Sequence, residues 1–295
     1  MRIGILGPEG TFSETAAMQW LKVSRKGTGK RDDVQINYYE TIVDVAESIM
    51  RKEVDYGIVP IENSLEGSVG ETLDLLSSEE NEPEIRIVGE ILIPIQICLL
   101  AKQTSGNSDQ KALQSFAGIR TVVSHPHALA QCKQFIRDRL RAKGVEVKSV
   151  DSTAAAAKMA MEDEEVAALA SEEAAKRYRL TILAENVQDS ESVTRFVTLS
   201  TSDIETEATG KDKTSLLIYL RDRPGALYEV LGEFAHRKIN LTKIESRPSK
   251  RALGDYMFHI DCEGHLEDKE IKEALEGVKR KVARLKVLGA YPKAK

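Results

Sequence analysis

Short apolar runs recur along the first two thirds of the chain. Each ends in a cluster of glycine, serine, threonine or aspartate, and a stretch with apolar residues three or four apart follows. The short runs read as buried strands, and the 3.6-residue spacing after them reads as helices laid on a sheet. The first unit is a strand over 3–6, the loop Gly7-Pro8-Glu9-Gly10-Thr11-Phe12-Ser13 and a helix over 14–22. The second is a strand at 38–39, Glu40-Thr41 and a helix over 42–52. The third is a strand over 56–60, Ile61-Glu62-Asn63-Ser64 and a helical stretch near 70–77. The long apolar run 87–100 predicts one or two buried strands broken at Pro94. Three more units follow: 120–123 with helix 128–143, 146–150 with helix 154–161, and 166–170 with helix 172–178. Strand character returns at 195–199. This alternation predicts an α/β fold with mainly parallel strands.

The segment 201–213 is polar, has no apolar periodicity and reads as a linker. Beyond it the order changes to strand 214–220, helix 226–238, strands 239–246 and 256–262 around a turn at 250–254, helix 268–281 and strand 285–289. That βαββαβ order is ferredoxin-like. The expected division is a larger α/β unit at 1–203 and a small α+β module at 213–292. With 41% hydrophobic and 30% charged residues, the composition is that of an ordinary globular protein. A net charge of -5 argues against a dedicated nucleic-acid binder. No run approaches the about 18 apolar residues of a membrane span, and the N-terminus lacks a signal-peptide pattern. Cys98, Cys132 and Cys262 are scattered and odd in number, as free thiols of a reducing compartment are, so the cytoplasm is expected.

In open α/β sheets, ligands bind beyond the carboxyl ends of strands. Those ends here carry Thr11 and Ser13, Asn63 and Ser64, Ser124, and Ser152 with Thr153. Taken singly, each is what any helix N-terminus prefers as a cap. Repeated around one cleft, such helix starts offer unpaired N–H groups and partial positive charge to a small dicarboxylate or phosphate. The Gly7–Ser13 loop is neither a dinucleotide fingerprint nor a P-loop, so no nucleotide is expected. His125 and His127 flank Pro126 without a third ligand nearby in sequence, which favours a loop role over a metal site. Cys132 has no base beside it and reads as a core thiol.

Several of these segments together resemble the prephenate dehydratase family. Gly7-Pro8-Glu9-Gly10-Thr11-Phe12-Ser13 is similar to its opening motif. Ile58-Val59-Pro60-Ile61-Glu62-Asn63-Ser64 with Gly67 is similar to a second block, and Ser124-His125-Pro126 with Ala128-Leu129-Ala130-Gln131-Cys132 to a third. Gln188-Asp189 with Thr194-Arg195-Phe196 resembles the block that carries the family's essential threonine. Gly225-Ala226-Leu227, Ile239-Asn240-Leu241-Thr242 and Glu245-Ser246-Arg247-Pro248 resemble the attached ACT domain. His127 stands where glutamine is commoner, and Ser192 where asparagine is expected. The sequence opens at the dehydratase strand, so a monofunctional member, without the chorismate mutase segment of bifunctional relatives, is expected.

The resemblance implies a two-lobed catalytic domain like a periplasmic binding protein, with a cleft between the lobes. It implies the decarboxylating dehydration of prephenate to phenylpyruvate without a cofactor or metal. Thr194 would be catalytic, its hydroxyl facing the departing ring oxygen. Thr11, Ser13, Asn63, Ser64, Ser124, Thr153, Arg195 and Phe196 would bind substrate. From its residue type alone, Arg195 could equally clamp a carboxylate or pair with a structural acid, and Phe196 suits a core. The ACT domain would bind L-phenylalanine through Gly225, Ala226, Leu227, Asn240, Leu241, Glu245, Ser246, Arg247 and Pro248, in a homodimer or homotetramer. Two alternatives stay open on the sequence: arogenate as substrate, and a non-enzymatic sensor, which the Thr194 block argues against.

Overall fold

The computed structural model describes residues 1–24, 34–78, 84–102, 116, 118–201, 206–248 and 256–294. The expected turn at 250–254 and part of the expected linker lie outside these.

One sheet has the order β2-β1-β3-β11-β5, with a short β4 on β3. Its strands are β1 (Arg2–Leu6), β2 (Gln35–Tyr39), β3 (Tyr56–Asn63), β4 (Gly67–Ser68), β5 (Ile85–Ile95) and β11 (Ser192–Thr201). Helices α1 (Phe12–Ser24), α2 (Ile42–Met50) and α3 (Gly70–Ser77) pack on it. A second sheet runs β10-β6-β9-β7-β8. It contains β6 (Cys98–Ala101), β7 (Thr121–Ser124), β8 (Glu146–Ser149), β9 (Val166–Ala170) and β10 (Thr181–Ala184). Its helices are α4 (Pro126–Gln131), α5 (Thr153–Glu162) and α6 (Glu172–Tyr178). After α4 the chain continues through Lys133–Phe135, a π-helical turn at Ile136–Leu140 and a 3₁₀ turn at Arg141–Lys143. The chain crosses between the two lobes twice, from β5 to β6 and from β10 to β11.

The strands are mainly parallel as expected, and apart from the short β4 each of these two sheets holds one reversed strand. β2-β1-β3 and β8-β7-β9 are parallel, but β11 runs antiparallel to both β3 and β5, and β6 to both β9 and β10. The reversed strand of each sheet is the first one after a crossing between the lobes, β6 after β5 and β11 after β10. The expected break at Pro94 moves. Pro94 lies inside β5, opposite Val193, and the strand stops after Ile95. β5 is the last strand of its sheet, and a missing N–H is tolerated on an edge.

The C-terminal module is β12 (Asp212–Tyr219), α7 (Ala226–His236), β13 (Leu241–Pro248), β14 (Tyr256–Glu263), α8 (Lys269–Lys279) and β15 (Arg284–Pro292), in sheet order β13-β14-β12-β15. One face carries α7 and α8 on a core of Leu216, Ile218, Val230, Phe234, Ile260, Ala274 and Val278. The other face is buried against the first lobe. Leu217, Tyr219, Met257, Leu288 and Tyr291 share a cluster with Ile42, Ile49, Val59, Leu73, Ile87, Val197 and Leu199. The approach at the β15–β5 seam is close. A Cβ on Gly289 would lie 2.0 Å from the Ile87 carbonyl oxygen. Glycine is therefore required there by space as well as by its φ of 153°.

Candidate active site

The two lobes meet with the loops beyond their strand ends facing each other. The Gly7–Ser13 loop follows β1, and its Glu9 and Gly10 carbonyls accept hydrogen bonds from Tyr178 Oη (3.2 Å) and Ser171 Oγ (3.3 Å) of the second lobe. Arg177 adds an ion pair to Glu9 and one at 3.3 Å to Glu14. The turn after β3 carries Glu66, which pairs with His127 and accepts from Gln131 Nε2 (2.9 Å), both in the second lobe. Gln188 Oε1 accepts from Ile97 N (3.0 Å), and Asp189 N donates to the Gln131 carbonyl (2.6 Å), so the two crossing segments are tied together.

At the end of β3 in this cleft lies a compact polar group. Register places Thr194 opposite Asn63. The Asn63 carboxamide is oriented unambiguously, because its Oδ1 accepts from the backbone N–H groups of Leu65 (2.9 Å) and Glu66 (3.1 Å). Its two amide protons then go to Ser192 Oγ and Thr194 Oγ1, each at 2.9 Å. Since an amide N–H only donates, Thr194 Oγ1 is the acceptor in that bond. The hydroxyl's own proton is left for another partner. Ser64 closes the arrangement by accepting from Val193 N (3.0 Å) and donating its N–H to the Val193 carbonyl (2.9 Å).

The other predicted residues divide. Thr11 Oγ1 donates to the Leu6 carbonyl (3.1 Å), which fixes the loop's entry to α1. Ser13 lies buried in the first turn of α1. Thr153 is the first residue of α5, capped by Ser152. The structure places these three at helix starts and records no contact between them and the Asn63–Thr194 pair. Three of the residues expected to bind substrate have side chains engaged elsewhere in the fold. Ser124 is completely buried and spends its hydroxyl on the Leu169 carbonyl (2.6 Å), tying β7 to β9. Phe196 is buried in the core with Ile91, Ile93 and Ile58. Arg195 points away from the cleft.

Strand alternation explains the placement of Arg195. Ser192, Thr194 and Phe196 share one face of β11, whereas Arg195, Val197 and Leu199 face the C-terminal module. Arg195 is only 6% exposed. Its Nε bonds Glu90 (2.8 Å), and its terminal nitrogens bond Asp261 (2.5 Å) and the Tyr291 hydroxyl (2.8 Å). Burial opposes its charge, but Tyr291, Asp261 and Glu90 outweigh that and push its pKa upward. A charge such as Glu90 inside the apolar run Ile-Arg-Ile-Val-Gly-Glu-Ile-Leu-Ile must find a buried partner. That was the one sequence signal for this cluster. Ser192, Glu66 and Gln131 carried no signal beyond their motifs.

In the module, Gly225 (φ 79°) precedes α7, and Ala226 and Leu227 line a cavity of about 160 Å³ with Arg221, Arg223, Tyr256 and Phe258. Asn240 is exposed and donates to Glu263 (3.2 Å), and Leu241 begins β13. Ser246 and Pro248 are exposed, on the side of β13 away from the first lobe. Glu245 and Arg247, also expected to bind the effector, turn their side chains to the first lobe. Glu245 is bound by Ser68 and by Lys243 (3.1 Å), and Arg247 by Asp74 (2.8 Å). The thiols of Cys132 and Cys262 are pushed up to about 12 by burial, so both are neutral. His125 accepts from His127 N (3.3 Å), and its pKa is lowered by burial and by His127. No group of three or more metal-ligating side chains occurs among the described residues. A larger cavity of about 660 Å³ between α1 and α6 includes none of the predicted residues.

Residues 3–204 match the family model of prephenate dehydratase, and residues 214–280 that of the ACT domain. A bifunctional chorismate mutase/prephenate dehydratase of Aquifex aeolicus is 43% identical over 295 residues, covering 100% of this chain and 74% of that protein. A prephenate dehydratase of Methanocaldococcus jannaschii is 40% identical over 290 residues, covering 97% and 96%. Among solved structures, a prephenate dehydratase of Arthrobacter aurescens in complex with L-Phe has a TM-score of 0.83 at 35% identity, covering 99% of this chain and 90% of that one. GqqA, described as a quorum-quenching acylase, has a TM-score of 0.82 at 28% identity, covering 99% and 98%.

Proposed function

The chain belongs to the prephenate dehydratase family and carries an ACT domain, and from that premise we propose that it converts prephenate to phenylpyruvate, water and carbon dioxide under feedback control by L-phenylalanine. Prephenate's ring carbon bearing the hydroxyl must lose it with a proton, while the C–CO₂ bond supplies the electron pair that completes the aromatic ring. The difficult event is departure of the hydroxyl, which as hydroxide is a poor leaving group. Thr194 Oγ–H is the donor assigned to it.

The observation that carries this assignment is the Asn63 carboxamide, held by two backbone N–H groups and donating to Thr194 Oγ1 at 2.9 Å. It turns the threonine hydroxyl into a donor towards the cleft. A threonine hydroxyl is too weak an acid to protonate hydroxide alone, so Thr194 stabilises the developing charge and passes on a proton. Ser64, Ser13 and Thr153 supply neutral hydroxyl donors to the two carboxylates, while Thr11, whose hydroxyl is bound to the Leu6 carbonyl, shapes the loop between them. Neutral donors suit a reaction in which one carboxylate must leave as carbon dioxide, because over-stabilising that anion would raise the barrier.

For the regulatory half, the cavity beside Gly225, Ala226 and Leu227 is the amino-acid site, with the start of α7 facing the effector carboxylate. β13 is the free edge of the module's sheet, and Ile244 and Tyr256 near it are 47% and 50% exposed. A second copy pairing along that edge gives the dimer or tetramer in which Asn240, Leu241, Ser246 and Pro248 complete the site. Three buried free thiols suit the cytoplasm. No described helix is long and apolar enough to cross a membrane. The test is turnover of prephenate against arogenate by the purified protein. The proposal requires prephenate to be preferred and L-phenylalanine to suppress the rate. Preference for arogenate, or no turnover of either, overturns it.

A further inference from the structure

The Asn63–Thr194 pair has a mirror image on the other side of the sheet. The chain neighbours of its two members, Glu62 and Arg195, are themselves register partners, and both point towards the C-terminal module. Glu62 reaches Lys243 of β13 (3.2 Å) and Arg195 (3.5 Å). Arg195 reaches Asp261 of β14 and Tyr291 of β15. Directly after this pair the register jumps, with Arg195 opposite Glu62 but Phe196 opposite Pro60. Such an irregularity re-aims the side chains around it.

The hydrogen bonds behind Arg195 form a closed circuit. Arg195 donates to Tyr291 Oη at 2.8 Å, and Tyr291 Oη lies 2.6 Å from Ser215 Oγ. Ser215 donates to Asp261 Oδ1 at 2.6 Å, and Asp261 Oδ2 takes the other Arg195 proton at 2.5 Å. Ser215 gives its proton to Asp261, so Tyr291 must be the donor to Ser215. Glu90 balances the charge, accepting from Arg195 Nε (2.8 Å) and Lys213 Nζ (3.0 Å). Arg195, Glu90, Asp261 and Tyr291 are each less than a tenth exposed. A buried circuit of this kind is sensitive to each member, because one missing partner leaves a buried polar group unsatisfied or a buried charge unpaired. Three of its members belong to the module.

We propose that Arg195 is a positioning residue for the dehydration: clasped by Asp261, Ser215 and Tyr291, it holds the irregular β3–β11 segment so that the Thr194 hydroxyl is aimed into the cleft, and makes that aim depend on how the module is seated. The inference rests on the dehydratase reading with Thr194 as donor. It adds the route by which the module's state reaches the reaction centre. Arg195 touches no substrate in this account.

The test is a double-mutant cycle on Tyr291→Phe and Arg195→Lys, with kcat and KM for prephenate measured for the wild type and all three variants. Phenylalanine binding is followed by calorimetry as a check on the module. Tyr291→Phe keeps the ring and removes only the hydroxyl. It is expected to lower kcat about 3- to 30-fold, leave KM within about twofold, and retain phenylalanine binding while weakening inhibition. The double variant should lose no more than the worse single one, because both changes break the same circuit. Should Arg195→Lys be insoluble, Asp261→Asn replaces it with the same expectation. Wild-type kcat in Tyr291→Phe, additive losses in the double variant, or a rise in KM for Arg195→Lys with kcat unchanged overturns the proposal, the last restoring a substrate clamp. An inactive wild type instead defeats the dehydratase reading itself, so the two failures are distinguishable.

Discussion

Replacing Thr194 by valine removes one hydroxyl and nothing else of consequence to shape. Asn63 Nδ2 keeps its bond to Ser192 at 2.9 Å, and Oδ1 keeps both backbone donors. The folded state loses one neutral side-chain hydrogen bond, worth about 1 kcal/mol. Valine has at least the strand preference of threonine at this position. The melting temperature should therefore move by only a few degrees. The rate should behave differently. A preorganised donor aimed at developing negative charge contributes about 10²–10³ in kcat, or about 3–4 kcal/mol of barrier. The expected result is a kcat about 100- to 1000-fold lower with KM little changed. Thr194→Ser keeps the hydroxyl but loses the branch that restricts χ1, so its loss should be smaller by at least about tenfold. Phenylpyruvate absorbance in alkali reads the rate, and circular dichroism reads the fold. If Thr194→Val retains activity within about threefold of wild type, the donor role assigned from the Asn63 geometry is wrong.

Ser124→Ala should cost about 1 kcal/mol of stability with kcat and KM nearly unchanged, and Phe196→Ala about 3–5 kcal/mol, both checked by urea unfolding. A large KM effect from Ser124→Ala at unchanged stability would return it to the substrate. Gly289→Ala should destabilise the protein by about 2–4 kcal/mol by forcing β15 off β5; a melting shift below one degree in calorimetry, about the scatter of such a scan, contradicts the seam described here. His259 lies between the module and α3, with Nε2 3.1 Å from Ser77 Oγ, and burial lowers its pKa to about 4. A histidine depressed on folding binds its proton more readily when unfolded. Its stability contribution is therefore intact above the unfolded value near 6.5 and is lost as pH falls towards about 4, by up to about 3 kcal/mol. The wild type should lose stability over that window more steeply than His259→Gln, as read by denaturant midpoints; equal slopes refute the burial argument.

The fold was legible wherever local chemistry and tertiary demand agreed. The strand–helix units, the βαββαβ order of the module and the cap at Ser152 all follow from residues adjacent in sequence. The one reversed strand in each lobe's sheet, β11 and β6, was not legible, because its direction is decided by the two crossings between lobes. The reach of β5 through Pro94 depends on its place at a sheet edge, which no local pattern records. At the site, Asn63, Ser64 and Thr194 come together because β3 and β11 pair in register, a contact between residues more than a hundred positions apart. Arg195 shows the limit most clearly. Its position beside Thr194 suggested a shared task, whereas strand alternation sends the two side chains to opposite faces. Its partners Asp261 and Tyr291 belong to a separate sequence unit. Only Glu90, a charge inside the apolar run of β5, hinted that a buried counter-charge existed somewhere.

The most direct measurement is phenylpyruvate formation from prephenate by the purified protein, with and without millimolar L-phenylalanine. The account predicts measurable turnover without added cofactor, and a rate that falls as phenylalanine is added. A well-folded protein that leaves prephenate unchanged contradicts the dehydratase reading, and full turnover at saturating phenylalanine contradicts control through the ACT domain.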